Sequence, residues 1–170
     1  MTVPEASVLS VAAMACIWDV RTRRIPNALT FGAAAVAFGY GLASGGLAGL
    51  GNAVAGWLVG FALFVPFFLL GGMGAGDVKL LAALGAWLGP ETAVWAALYA
   101  GLAGGPLAVA AALVKGKLRQ SLSNLWCLIV FWRVAGIQPM PGLTLRTAQS
   151  PRLPYAVPIA AGAAVALWLR

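Results

Sequence analysis

Apolar runs long enough to enter a bilayer recur along this chain, and they leave it few ways to fold. Hydrophobic residues make up 62% of its 170 positions and charged residues only 9%, against roughly 25% charged in a soluble domain. So few charges cannot cover a water-facing surface, and a bilayer crossing needs about 20 predominantly apolar residues. Backbone amides in lipid must bond within their own segment, so helices are expected. The runs are too long and continuous for the alternating strands of an outer-membrane barrel. The expected fold is therefore all-α: a polytopic membrane helical bundle of about six transmembrane helices, forming a single domain over residues 1–170.

The six runs are Ala6 to Trp18, Ala28 to Leu42, Leu47 to Leu70, Val78 to Leu88, Thr92 to Val114 and Tyr155 to Leu169. Glu5 precedes the first run and no basic residue does, so it reads as a permanent helix rather than a cleavable signal. Between the fifth and sixth runs lies a mixed stretch, Lys115 to Pro154. Its apolar middle, Leu125 to Ile137, carries Arg133 and is expected to lie at the interface or to re-enter the membrane. Glycine pairs four residues apart, Gly56/Gly60, Gly85/Gly89 and Gly101/Gly105, are expected to let helix backbones approach closely.

The net charge of +7 would also fit a nucleic-acid partner, but the basic residues sit in short loops between apolar runs, so topology explains them better. With the N-terminus outside, Arg21, Arg23, Arg24, Lys79, Lys115, Lys117, Arg119, Arg133, Arg146 and Arg152 all fall on the cytoplasmic side. Only Arg170 falls outside, with Glu5 and Glu91. This partition needs an even number of crossings.

Histidine is absent, which removes Ser-His-Asp and Cys-His catalysis and most zinc hydrolase sites. Cys16 and Cys127 stand far apart in apolar stretches and are expected to be small buried hydrophobes. No metal or cofactor is expected. Four acidic residues remain. Glu5 and Glu91, beside Pro4 and Pro90, read as solvated helix starts. Asp19 closes the first run and Asp77 opens the fourth, so this topology puts both at the cytoplasmic boundary. Carboxylates there are costly and tend to be functional. Two of them are the minimum kit for peptide hydrolysis without histidine, thiol or metal: one takes a proton from water, and the other, protonated, polarises the carbonyl. Placed close together they share a single proton.

Plainer roles also exist. Asp77 follows Gly76 and fits a helix N-cap, and Asp19 fits an interface anchor paired with Arg21, Arg23 or Arg24. The glycine-rich turn Gly71 to Gly76 lacks the Lys-Ser or Lys-Thr of a P-loop. It is expected to turn the chain sharply and to let a substrate backbone reach Asp77, which makes Gly74 and Gly76 candidate substrate contacts. Lys79, two positions beyond Asp77, points off that face. A headgroup anchor is its plainer role and substrate contact the alternative. Asn27 is expected to cap the second helix.

At these residues the chain resembles the type IV prepilin peptidases. Asp19-Val-Arg21-Thr-Arg23-Arg24-Ile25-Pro26-Asn27 is similar to that family's first motif. Gly74-Ala-Gly76-Asp77-Val-Lys79-Leu80 is similar to its second, the G-x-G-D signature shared loosely with presenilin-like and preflagellin peptidases. Pro154 to Gly162 is similar to the closing segment, with Ala156 where glycine is more usual. The resemblance runs from about Ser7 to the end.

It implies that Asp19 and Asp77 are the catalytic pair of an intramembrane aspartic endopeptidase in the bacterial inner membrane. The substrate would be a prepilin or pseudopilin precursor, cut after a glycine at the cytoplasmic face, between a short basic leader and a hydrophobic helix. Larger members carry a four-cysteine insert and methylate the new amino terminus. This chain lacks the insert, so methylation is not expected, and it is most similar to the compact peptidases of tight-adherence (Flp) pili. The rival readings are a channel or transporter binding cations at the aspartates, a related intramembrane peptidase with another substrate, and a structural subunit of a secretion machine. The oligomeric state is left open.

Helix dipoles add one expectation. Asp19 stands at the C-terminal end of its helix and Asp77 at an N-terminal end. That places the shared proton on Asp19 and leaves Asp77 the ionised base, with the pair titrating as a unit.

Overall fold

The computed structural model describes residues 1–116, 118–136, 138 and 154–169. Lys117, Arg146, Arg152 and Arg170, counted above in the charge partition, lie outside them, as does Ile137. Six helices are described: α1 (Val3–Thr22), α2 (Asn27–Leu69), α3 (Ala75–Leu88), α4 (Pro90–Val114), α5 (Leu118–Ala135) and α6 (Ala156–Trp168). The described residues contain no strand, as the backbone's need for bonding within each segment dictates.

Helix α1 begins at a capping box, in which Thr2 and Glu5 exchange backbone-to-side-chain bonds. Helix α2 holds two of the apolar runs. It breaks at Gly46, whose φ of 59° and ψ of −146° suit glycine. The break reverses the chain. A side chain at Gly41 would strike the Gly49 carbonyl, although residues eight apart in a straight helix are separated by about 12 Å. Residues 27–45 and 47–69 therefore form two arms lying side by side.

Both arms clasp α3, the centre of the bundle. Gly56 of the second arm and Gly85 of α3 meet backbone to backbone, and Gly60 lies against the Leu81 carbonyl. Neither contact leaves room for a Cβ. From the first arm, the Ala33 carbonyl accepts the indole N–H of Trp87 at 3.0 Å. Leu80, Leu81 and Leu84 of α3 are wholly buried. Helices α1, α4 and α6 complete the wall. Gly162 of α6 lies on the α4 backbone near Ala100. The start of α4 (Glu91, Thr92, Trp95) and the end of α6 (Ala166, Leu169) border one hollow, so the two helices run antiparallel. Among the described elements, α5 contacts only α4.

Three helices are long and apolar enough to cross a membrane: α1, α2 and α4. This is a membrane protein, all-helical in its regular elements among the described residues. The six apolar runs all fall on helices, but six crossings are not established by length. Helices α3 and α6 have 14 and 13 residues, about 20 Å each at 1.5 Å per residue, whereas a hydrocarbon core is about 30 Å thick. The interfacial segment expected from Leu125 belongs to a longer helix that already starts at Leu118.

Candidate active site

Helix periodicity aims both aspartates inward. On α1 the buried residues are Val8, Val11, Ala12, Ala15 and Asp19, spaced by three or four and so aligned along one face. Asp19 is the last of that stripe. On α3, Asp77 shares its face with Leu81, Leu84 and Leu88, and here the aspartate comes first. Each apolar stripe thus ends in a carboxylate, and packing of α1 on α3 brings the two ends together. Asp19 is 6% exposed and Asp77 9%. They line one pocket of about 350 Å³, close enough that the Asp19 charge acts on Asp77.

Each carboxylate accepts a backbone N–H. Gly74 N–H donates to Asp77 Oδ2 at 3.2 Å, while Asp77 N–H donates to the Gly74 carbonyl at 3.2 Å. Asp77 is therefore the third residue of α3 reaching back to its cap, not the cap itself. The N–H of Ala156, first residue of α6, donates to Asp19 Oδ2 at 3.1 Å. One α1 turn earlier, the Cys16 thiol donates to the Ala156 carbonyl at 3.3 Å. Helix α1 thus holds both the N–H and the carbonyl of Ala156.

The Ala156 bond corrects the dipole expectation. Asp19 does end its own helix, but it also faces the positive N-terminus of α6. At Asp19 the two helix ends oppose one another, so the dipole reason for placing the proton there loses its force.

The pocket also contains Gly74, Gly76 and Lys79, the other residues singled out in the sequence, together with Arg23, Arg24 and Asn27. A Cβ on Gly76 would come within 3.3 Å of the Ile25 side chain. The neighbour packed there is thus the Ile-Pro-Asn segment of this chain. Lys79 Nζ donates to Asn27 Oδ1 at 2.9 Å and lies 5.1 Å from the Phe31 ring centre, tying α3 to α2. Asn27 is not a cap: α2 starts from Pro26, and Asn27 spends its side chain on Lys79. Cys127 is exposed rather than buried. No group of three or more metal-ligating side chains occurs among the described residues.

Tyr155 and Ala156 are the site residues that sequence reasoning missed. Tyr155 lines the pocket, and the Asp77 charge reaches it. The available signal was the segment Pro154 to Gly162, which carried a resemblance but was given no role.

The fold and site define a helical membrane protein with a buried carboxylate pair. The family pattern described as "Type IV leader peptidase family" matches residues 6–109, a span containing both aspartates, and the chain belongs to that family. A prepilin leader peptidase/N-methyltransferase of Aeromonas hydrophila is 44% identical over 78 residues, covering 42% of this chain. The match covers only 27% of that relative's length. No solved structure matches the chain.

Proposed function

We propose that this protein is an aspartic endopeptidase of the bacterial inner membrane that removes the short basic leader of prepilin-like or pseudopilin precursors. The observation that carries the reading is the meeting of Asp19 and Asp77 in one pocket at the ends of two buried stripes.

In the proposed reaction one carboxylate is ionised and takes a proton from the attacking water. The other, protonated, donates a hydrogen bond to the scissile carbonyl oxygen. The water oxygen bonds to the carbonyl carbon, and the proton passes on to the departing amine as the C–N bond breaks. The Gly74 and Ala156 N–H groups hold the carboxylates in place without being consumed. Gly74, Gly76 and Lys79 are proposed substrate contacts. For Lys79 that contact is made from its seat on Asn27.

The topology that accompanies this reading has six crossings, the two α2 arms counting separately. It puts the N-terminus outside and the dyad at the cytoplasmic face, where the basic ends of α1 and α3 also lie. Short α3 and α6 span by packing inside the bundle rather than by their own length.

The test is cleavage of a candidate prepilin by the purified full chain in lipid. The leader is expected to be released by the wild type. Asp19→Asn and Asp77→Asn are each expected to lower the rate by about 10²–10⁴-fold, the usual contribution of a positioned acid or base. Retained cleavage in either variant would remove the dyad mechanism. Accumulated precursor with both variants, alongside unaltered cation flux, would also separate this reading from a transporter.

A further inference from the structure

The proposed dyad leaves one electrostatic demand unmet. Water attack puts negative charge on the scissile oxygen, and a pair sharing one proton offers that oxygen one hydrogen bond. The backbone donors beside the pair are engaged: Gly74 N–H binds Asp77 and Ala156 N–H binds Asp19. Lys79 donates to Asn27. Arg23, Arg24 and Asn27 line the same pocket but are exposed. Tyr155, half-buried, is the further side-chain donor in that lining.

The fold fixes Tyr155 firmly. It directly precedes Ala156, so the 3.1 Å bond from Ala156 N–H to Asp19 holds its backbone beside the dyad. Its ring is seated on α4, where a Cβ on Gly104 would lie 3.6 Å from Cε1. That carbon adjoins the one carrying the hydroxyl. Together with Met73, Tyr155 forms the wall between the catalytic pocket and an apolar hollow bordered by Gly101 and Gly105 of α4. The hydroxyl has no hydrogen-bond partner among the described residues, and no fully buried polar side-chain atom among them lacks one. The hydroxyl is therefore an accessible donor, and the Asp77 charge is felt there.

We propose that Tyr155 is a third catalytic residue: its phenolic O–H donates a hydrogen bond to the scissile oxygen as the tetrahedral intermediate forms. The inference rests on the leader-peptidase reading above. In this step the water oxygen bonds to the carbonyl carbon, the carbonyl π pair moves onto oxygen, and the base carboxylate holds the proton taken from water. Tyr155 keeps its proton throughout. When the intermediate collapses, the pair returns to the carbonyl, the C–N bond breaks and the departing amine takes the proton. A donor already in place costs no reorganisation when the charge develops. Its bond is stronger to the oxyanion than to the ground-state carbonyl, so it raises kcat rather than lowering KM.

The experiment uses the purified full chain in lipid nanodiscs with a prepilin precursor. Tyr155→Phe keeps the ring and removes only the hydroxyl. It is expected to lower kcat by about 10- to 100-fold with KM unchanged, as for loss of one donor to a developing oxyanion. Tyr40→Phe removes the hydroxyl of a ring that lies beside Trp87 and outside the pocket lining, and should keep the wild-type rate. Two peptide inhibitors spanning the cut add a readout that a structural role would not move. One carries a hydroxyethylene group in place of the scissile amide, and the other a plain ethylene group. Tyr155→Phe should weaken the first about tenfold relative to the second, the effect of one lost hydrogen bond. That ratio is taken within one variant, so a change in the folded fraction cancels. An unchanged kcat, or equal weakening of both inhibitors, would overturn the role of Tyr155 while leaving the peptidase reading intact. Failure of the wild type to cleave any precursor would overturn both.

Discussion

Two glycine pairs with the same four-residue spacing have opposite surroundings. Gly56 and Gly60 of α2 are pressed against the backbone of α3, with no room for a Cβ. Gly101 and Gly105 of α4 face open space. The spacing shows only that a helix has a face without side chains. What occupies that face depends on the rest of the fold: a second helix in one case, a groove beside the active site in the other.

Substitution can sharpen the difference. The largest effect is expected at the closed contact. Gly85→Leu drives a side chain into the Gly56 backbone and should yield no folded protein, seen as lost resistance to proteolysis in membranes. A Gly85→Leu protein that unfolds at the wild-type temperature would contradict the packing. Next comes Leu84→Ala, which opens a hole at the wholly buried centre of α3. It should cost about 2–5 kcal/mol in reversible unfolding, the range for buried leucine truncations. The smallest effect belongs to the rim of the catalytic pocket. Lys79→Met removes one hydrogen bond to Asn27 and one ring contact with Phe31, and should cost about 1 kcal/mol. A loss as large as that of Leu84→Ala would show that the tie between α2 and α3 does more than fix the rim.

Much of this arrangement could be read from the sequence because the chain is so poor in charge. With four acids and no histidine, Asp19 and Asp77 stand out without any structure. The apolar runs on either side of Gly46 likewise anticipate the two arms of α2. The contacts that hold Asp19 were not legible. Its partner is the N–H of Ala156, 137 positions away, and no local pattern joins those residues. Reading α1 alone therefore gave one of the two helix-end fields that meet at Asp19. The same limit applies to Cys16, whose thiol serves the Ala156 carbonyl. Asn27 has the right residue type and place for a cap, yet a long-range bond to Lys79 claims its side chain. Crossing number was obscured for a different reason: α3 and α6 are apolar but short, so composition marks them as membrane segments while length does not.

The account turns on α1 and α3 presenting their carboxylates to one another. Crosslinking in native membranes tests this without relying on activity. The protein would carry Cys16→Ala and Cys127→Ala, with cysteines introduced by Asp19→Cys and Asp77→Cys. A short thiol-reactive linker is expected to bridge that pair efficiently. It should fail to bridge Glu5→Cys with Asp77→Cys, because Glu5 lies at the other end of α1. Equal bridging of the two pairs, or none between positions 19 and 77, would contradict a shared site.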